Sequence, residues 1–181
     1  MVDDMKRILV LLLPLVLVAA CAGTKKVDQD HNDADIAFAE AKIPHHEQAD
    51  EMAELVADAN ASTEVQQLAR QIKDAQAPEI ERLDGFLDDW DAEPAAAHGA
   101  HGDHDSMPGM MTDSDLSSLA AASGREFDRA WLTMMIAHHE GAVAMAQTQL
   151  DDGRSKPAHE LAEQIVSAQN DEISTMKELL G

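Results

Sequence analysis

Two adjacent histidines occur twice in this chain in nearly the same context, and this repetition constrains the fold more than any other feature. The first copy reads Ile43-Pro44-His45-His46-Glu47, followed by Met52-Ala53. The second reads Ile136-Ala137-His138-His139-Glu140, followed by Met145-Ala146. The offset is 93 residues and it persists beyond the motif: residues 35–87 and 128–180 align at it without a gap, with 20 identities in 53 positions. One architecture is therefore built twice, with two equivalent sites or one shared site.

Each copy reads as a helical hairpin. In the first, Phe38, His45, Ala49, Met52 and Val56 share a stripe of a helix over 34–60. Asn60-Ala61-Ser62 makes a turn, and Ser62 or Thr63 caps a helix over 63–90 whose inward face is Leu68, Ile72, Ala75, Glu79, Leu83 and Phe86. In the second, a helix over 125–152 carries Trp131, His138, Ala142 and Met145, and Gly153 ends it. Pro157 suits the first turn of a last helix running to about 180, with Leu161, Ile165, Ala168, Glu172, Met176 and Leu179 inward. Pro44 and Pro78 lie inside helical patterns and should bend them. A single hairpin cannot bury its apolar face alone, so the expected fold is all-α, a four-helix bundle of two tandem αα-hairpin repeats. The pseudo-twofold relation sets the first helix either beside the third or across the core from it.

The repeats, 34–90 and 125–181, form one folded domain joined by a crossover, 91–124. The crossover carries His98, His101 and His104, then Met107-Pro108-Gly109-Met110-Met111, a flexible His/Met tract of metal-capturing composition. A short helix follows Thr112, with Asp115 completing a capping box and Gly124 ending it. Ahead of the repeats, Lys6-Arg7, the apolar run Ile8–Val18 and Val18-Ala19-Ala20-Cys21 read as a signal peptide over 1–21. The apolar run is shorter than the roughly 20 residues of a spanning helix. Cys21 is the only cysteine, so no intrachain disulfide can form. Its place at the end of the run matches a lipobox, which makes Cys21 a lipidation site; an ordinary signal peptide with an incidental cysteine is the other reading. Asp3 and Asp4 are unusual in such a segment, which leaves Met5 as an alternative start. Residues 22–33 read as a tether.

Composition narrows the function classes. The chain has no tyrosine and 3% aromatics, which argues against a β-sandwich or barrel. A formal net charge of −22 excludes nucleic acid as a partner and repels anionic lipid, so a lipid on Cys21 rather than a basic patch would hold the protein to a membrane.

The chemistry centres on the histidines. His45 and His138 lie on core-facing stripes, and His46 and His139 lie about 100° around each helix, on its flank. Buried imidazoles need partners: either hydrogen bonds to Glu79, Glu172 or water, or a metal ion, for which imidazole suits copper, zinc, iron and nickel. Met134 and Met135 stand one turn before His138 and His139, and thioether donors favour Cu(I). Repeat one has Ala41 and Lys42 there, so the halves differ. Met52, Met145 and Met176 read as core filler. Glu79 and Glu172, with Gln76 and Gln169 one turn earlier, can bind metal or orient a histidine ring. Glu47 and Glu140 read as solvated, and His31 and His159 as surface residues.

The doubled I-x-H-H-E-x-A-x-x-M-A segments, the A-Q-x-x-E-I segments, the M-P-G-M-M linker and the stretch F-D-R-A-W-L-T-M-M-I-A-H-H-E-G-A-V-A-M-A resemble the bacterial domain-of-unknown-function 305 family over about 34–181. The resemblance implies a ferritin-like helical fold, export, and in some members periplasmic copper binding and copper resistance. It implies His45, His46, His138 and His139 as metal residues, with Met134 and Met135 beside them. This chain departs from the family pattern at Ala41-Lys42, where Met-Met is usual.

The expected function is an extracytoplasmic, lipid-anchored protein that sequesters or hands on copper, Cu(I) above other transition metals. The expected site is His45, His46, His138, His139, Met134, Met135, Glu79 and Glu172, with accessory capture by His98, His101, His104, Met107, Met110 and Met111. Two other classes stay open: a ferritin-like metal-dependent oxidase, and a cell-envelope interaction module whose histidines serve as pH-sensitive hydrogen-bonders. Whether copies of the chain associate also stays open.

Overall fold

The computed structural model describes residues 30–92 and 107–181. The expected signal peptide, Cys21, residues 22–29 of the tether, and His98, His101 and His104 lie outside the described residues; the end of the expected tether is structured instead, with Asn32 capping α1 and Asp33 opening it. Five α-helices follow in order: α1 (Asp33–Glu54), α2 (Thr63–Asp89), α3 (Asp113–Ala121), α4 (Gly124–Asp152) and α5 (Lys156–Leu180). All regular structure among the described residues is helical, and no helix there is long and apolar enough to cross a membrane.

Local chemistry fixes the helix ends. Asn32 caps α1, and Thr112 caps α3 in the capping box with Asp115. Ser62 and Ser155, equivalent at the 93-residue offset, accept from the backbone N–H of Val65 and Ala158 at the starts of α2 and α5. Pro157 sits in the first turn of α5, where its missing N–H costs nothing. α1 stops six residues short of the expected end, passing into a 3-10 turn over Leu55–Ala57 before Asn60 turns the chain at φ 52°. Gly124 does not end α3, which stops at Ala121. It opens α4 at φ +56°, and its N–H donates to Ala59 O at 2.7 Å. α1 and α2 run on through Pro44 and Pro78.

α1 packs along α2 and along α4, and α4 packs along α5, whereas α2 and α5 touch only sparingly. The first helix of one repeat thus lies beside the first helix of the other. The repeats also lace each other by equivalent bonds. Asp35 accepts from the backbone N–H of Ser155 at 3.1 Å and of Arg154, while Asp128 accepts from the N–H of Ser62 at 3.1 Å. Burial alone would raise the Asp35 carboxyl, but hydrogen bonds from Gln149 and the backbone outweigh it and hold its pKa below the usual range.

The core is split in two. One apolar cluster joins Ala49 and Met52 of α1, Leu68 and Ile72 of α2, Phe127, Trp131 and Met135 of α4, and Ile173 and Met176 of α5. The other joins Phe38 and Ala39, Leu83 and Leu87, Ala146, and Leu161 and Ile165 from the same four helices. Trp131 donates its indole N–H to Met52 O at 2.9 Å. The expected inward faces need four corrections. Ala75 and Ala168 are exposed, and their neighbours Gln76 and Gln169 are buried instead. Leu179 is exposed, with Leu180 packing on the core in its place. Phe86 is half-buried beside the buried Leu87.

Candidate metal centre

Between the two apolar clusters every long helix contributes polar side chains to one layer. α1 supplies Lys42, His45 and His46; α2 supplies Gln76 and Glu79; α4 supplies His138 and His139; α5 supplies Gln169 and Glu172. The four histidines and Lys42 have no solvent exposure at all. His46 and His139 are as buried as His45 and His138, which corrects their expected place on a helix flank. The reason is that each helix carrying a pair has two neighbours, so its flank is packed as well.

The layer follows the repeat. His46 Nε2 lies 2.8 Å from Glu79 Oε2, and His139 Nε2 lies 2.9 Å from Glu172 Oε2. The two bonds are related by the 93-residue offset. The glutamate side chains keep 17% and 18% of their surface while the imidazoles keep none, so the carboxylates mark the edge of the layer nearest solvent. Glu47 and Glu140 are exposed, as expected, and Glu140 pairs with Lys177 at 3.1 Å. His45 and His138 face each other across α1 and α4, ring centroids 3.8 Å apart and planes at 40°.

The segment Met107–Met111 closes the layer rather than hanging free, contrary to the mobile linker expected. Pro108 O is 3.1 Å from His45 Nε2. Gln48 clamps Met111 at two points, accepting from its N–H at 2.7 Å and donating to its carbonyl at 2.8 Å. Gly109 holds φ +81° against the backbone of α4, where a Cβ would come within 2.6 Å of Ala137 O. A Cβ on Gly141 would strike the Pro108 carbonyl. Gln48 and Gly141 are equivalent positions of the two repeats, so one repeat grips this strap with an amide and the other makes room for it.

Hydrogen bonding sets the tautomers. A carbonyl oxygen only accepts, so His45 carries its hydrogen on Nε2 and presents the Nδ1 lone pair. A carboxylate likewise only accepts, so Glu79 and Glu172, when ionised, give His46 and His139 the same tautomer, the arrangement by which an outer carboxylate orients a metal-binding imidazole. The Nδ1 atoms of His45, His46 and His139, and both ring nitrogens of His138, are buried without a hydrogen-bond partner. So are Lys42 Nζ and the amide atoms of Gln76 and Gln169. The layer thus holds ten of the twelve such atoms among the described residues. Leaving one buried polar group unsatisfied costs about 1–3 kcal/mol, so this concentration is no route to stability.

The electrostatics keep the His45, His46 and His138 rings neutral. Burial first, and then Lys42, push the His45 pKa down to about 3. Burial also drives His46 and His138 well below the ordinary histidine value, with Lys42 adding to His46 and the His45 ring to His138. Burial raises Glu79 to about 7 against the pull of Lys42, and lowers Lys42 to about 7 against the pull of Glu79. Neutral imidazoles with free lone pairs suit a soft or borderline metal ion.

Other expected residues fall beside the layer. Met135 is fully buried in the first apolar cluster and Met134 packs at its edge. Met52 and Met176 are core residues, as expected, whereas Met145 is half-buried. His31 stacks on Trp90 at 4.9 Å and His159 is half-buried, so neither is a free surface residue. Among the described residues no group of three or more His, Cys, Asp and Glu side chains is arranged around a point that could hold a metal ion. His45 and His138 meet with tilted planes, and the His138 and His139 rings are 6.2 Å apart at 53°.

Comparison with known proteins agrees with this architecture. The family model described as "Domain of unknown function (DUF305)" matches residues 35–180, and the chain belongs to that family. Among solved structures, a DUF305 fragment from Deinococcus radiodurans is 28% identical, with TM-score 0.72 over 83% of this chain and 97% of that one. A DUF305 protein from Streptomyces coelicolor, described as secreted, is 33% identical, with TM-score 0.70 over 81% and 91%. CopM in its Cu(I)-bound form is 30% identical, with TM-score 0.65 over 80% and 94%. CopM is also known in Cu(II)-bound and Ag-bound forms. No curated protein matches the sequence.

Proposed function

We propose that this chain binds copper, as Cu(I), among the buried imidazoles of the layer, and that it sequesters or hands on the ion outside the cytoplasm. One observation carries the reading: four solvent-free imidazoles, one bonded through Nε2 to a carbonyl and two to carboxyl groups, each of these three with Nδ1 unpartnered, form a polar layer between two apolar clusters. Copper here is cargo. Glu79 and Glu172 orient His46 and His139, and the Met107–Met111 strap covers His45. The copper- and silver-bound structures of CopM support the choice of metal, and the description of the Streptomyces coelicolor relative as a "putative secreted protein" supports an extracytoplasmic place. Lipidation of Cys21 belongs to the same reading, as the anchor that the acidic surface cannot supply.

A carboxylate-bridged oxidase fits the residues less well. Such centres draw a Glu from each of two helices and Glu-x-x-His from two more. Here two carboxylates hydrogen-bond into the layer, and each is taken by a histidine.

The test is anaerobic titration of the full chain with Cu(I) against a competing chelator. Glu172→Gln removes the charge that fixes the His139 ring and is expected to weaken binding about 10–100-fold. Absence of binding in the wild type, or an affinity indifferent to Glu172→Gln, sinks the proposal.

A further inference from the structure

The four long helices stand around the layer in the order α1, α2, α5, α4, and three of the four sides are shut. α1 packs along α2, and α4 packs along α5. The side between α1 and α4 is packed as well, and the strap lies over it. There Pro108 O meets His45 Nε2, Gln48 holds Met111 at two points, and a Cβ on Gly141 would strike the Pro108 carbonyl. The fourth side differs. α2 and α5 touch only sparingly, and Arg82 of α2 donates to Gln164 Oε1 of α5 at 2.8 Å. That bond fixes two stripes toward each other: Ala75, Glu79 and Arg82 at spacings of four and three on α2, and Gln164, Ala168 and Glu172 at spacings of four on α5. Ala75 and Ala168 are exposed although they stand on facing stripes, so the seam is not filled between them.

We infer that a soft metal ion reaches and leaves the imidazoles through this seam, past Glu79 and Glu172, and not beneath the strap. The inference rests on the copper-binding reading above. The two glutamates are partly exposed, and each hydrogen-bonds a ring that has no exposure. One turn away along each helix, Gln76 and Gln169 are buried with both amide atoms unpartnered. An entering cation thus meets carboxylate oxygen, then amide oxygen, then imidazole nitrogen. The carboxylates attract it, but hard oxygen donors hold a soft ion weakly, so it passes on to the rings. Ala75 and Ala168, equivalent at the 93-residue offset, touch no metal in this scheme. Their part is to leave room beside the glutamates, where a longer side chain would fill the seam.

The test combines Ala75→Leu with Ala168→Leu, which fills the seam without changing charge or adding a metal donor. The full chain is loaded anaerobically with Cu(I) and mixed with a competing chelator in excess, and both the release rate and the affinity are measured. The kinetic phase lost on replacing His138 and His139 by alanine is the one that reports the layer. Circular dichroism confirms the fold, and the two single leucine variants serve if the combined one does not fold. The expected result is release about tenfold slower, the effect of ~1.4 kcal/mol added to a barrier, with affinity unchanged. Release at the wild-type rate overturns the inference. So does slower release matched by an equally tighter affinity, because the leucines would then act on the bound state and not on the route. Faster release from Gln48→Ala, beside wild-type release from the leucine variant, would put the route under the strap and overturn the inference as well. Absence of Cu(I) binding in the wild type overturns the binding reading itself, and this inference with it.

Discussion

Replacing His138 and His139 together by alanine is expected to remove Cu(I) from the layer, with a loss of affinity beyond the about 10–100-fold that an outer-shell partner alone controls. This pair includes the ring with both nitrogens free, His138, and the ring that Glu172 orients. The same change at His45 and His46 is expected to cost less. Lys42 adds to the lowering of both those rings' pKa values, and His45 already gives Nε2 to the strap. Chelator competition on the two double variants measures the difference, with circular dichroism confirming the fold. Equal losses would mean that the repeats share the ion evenly and that the asymmetry at position 42 has no effect on binding.

Acid lability is the second large effect. His45 is held near pKa 3, and His46 and His138 also lie well below the unfolded value near 6.5. Below pH 6.5 the unfolded chain therefore binds protons that the native layer refuses. Stability is full above that value and falls as pH drops toward 3. Each such histidine contributes about 1.4 kcal/mol per pH unit. Glu79 opposes this between about 7 and 4.5, because its native carboxyl holds a proton that the unfolded one releases. Lys42 is protonated in both states below about 7 and adds no slope there. Three lowered histidines against one raised glutamate leave a slope of up to about 3 kcal/mol per pH unit near pH 5. That is large beside a domain stability of about 5–15 kcal/mol. Urea denaturation at stepped pH should show the folded state giving way near pH 4–5, and Cu(I), which needs neutral imidazoles, should move that limit lower. A stability unchanged from pH 7 to 4.5 would contradict the buried neutral layer.

Much of this arrangement was legible in the sequence. The 93-residue offset predicted the paired hairpins, and His46–Glu79 and His139–Glu172 appear as the equivalent bonds that the offset demands. Helix boundaries with a capping signature, at Ser62, Thr112 and Pro157, fell where expected. Periodicity failed where two helices press on one: a stripe drawn for a single contact leaves His46 and His139 on a flank, yet both rings have neighbours on either side. It also chose Ala75 and Ala168 over Gln76 and Gln169, because an apolar face is drawn through apolar residues and the polar layer interrupts it. Glycine and proline in the strap point to a mobile segment. Its anchor lies in long-range contacts to Gln48 and Gly141, and the signal that could have revealed them is the exchange of Gln for Gly at one repeat position. Lys42 was visible as a departure from Met-Met, but its complete burial could not be read from a lysine in sequence.

The most direct test of the account is 15N spectroscopy of the histidine side chains during addition of Ag(I), a diamagnetic stand-in for Cu(I). The predicted result is a large shift of the His139 Nδ1 and His138 ring resonances while the His139 Nε2 hydrogen, held by Glu172, stays in place. Unchanged layer imidazoles, with shifts confined to the methyl groups of Met107 and Met110, would show that the metal binds outside the layer and would contradict the account.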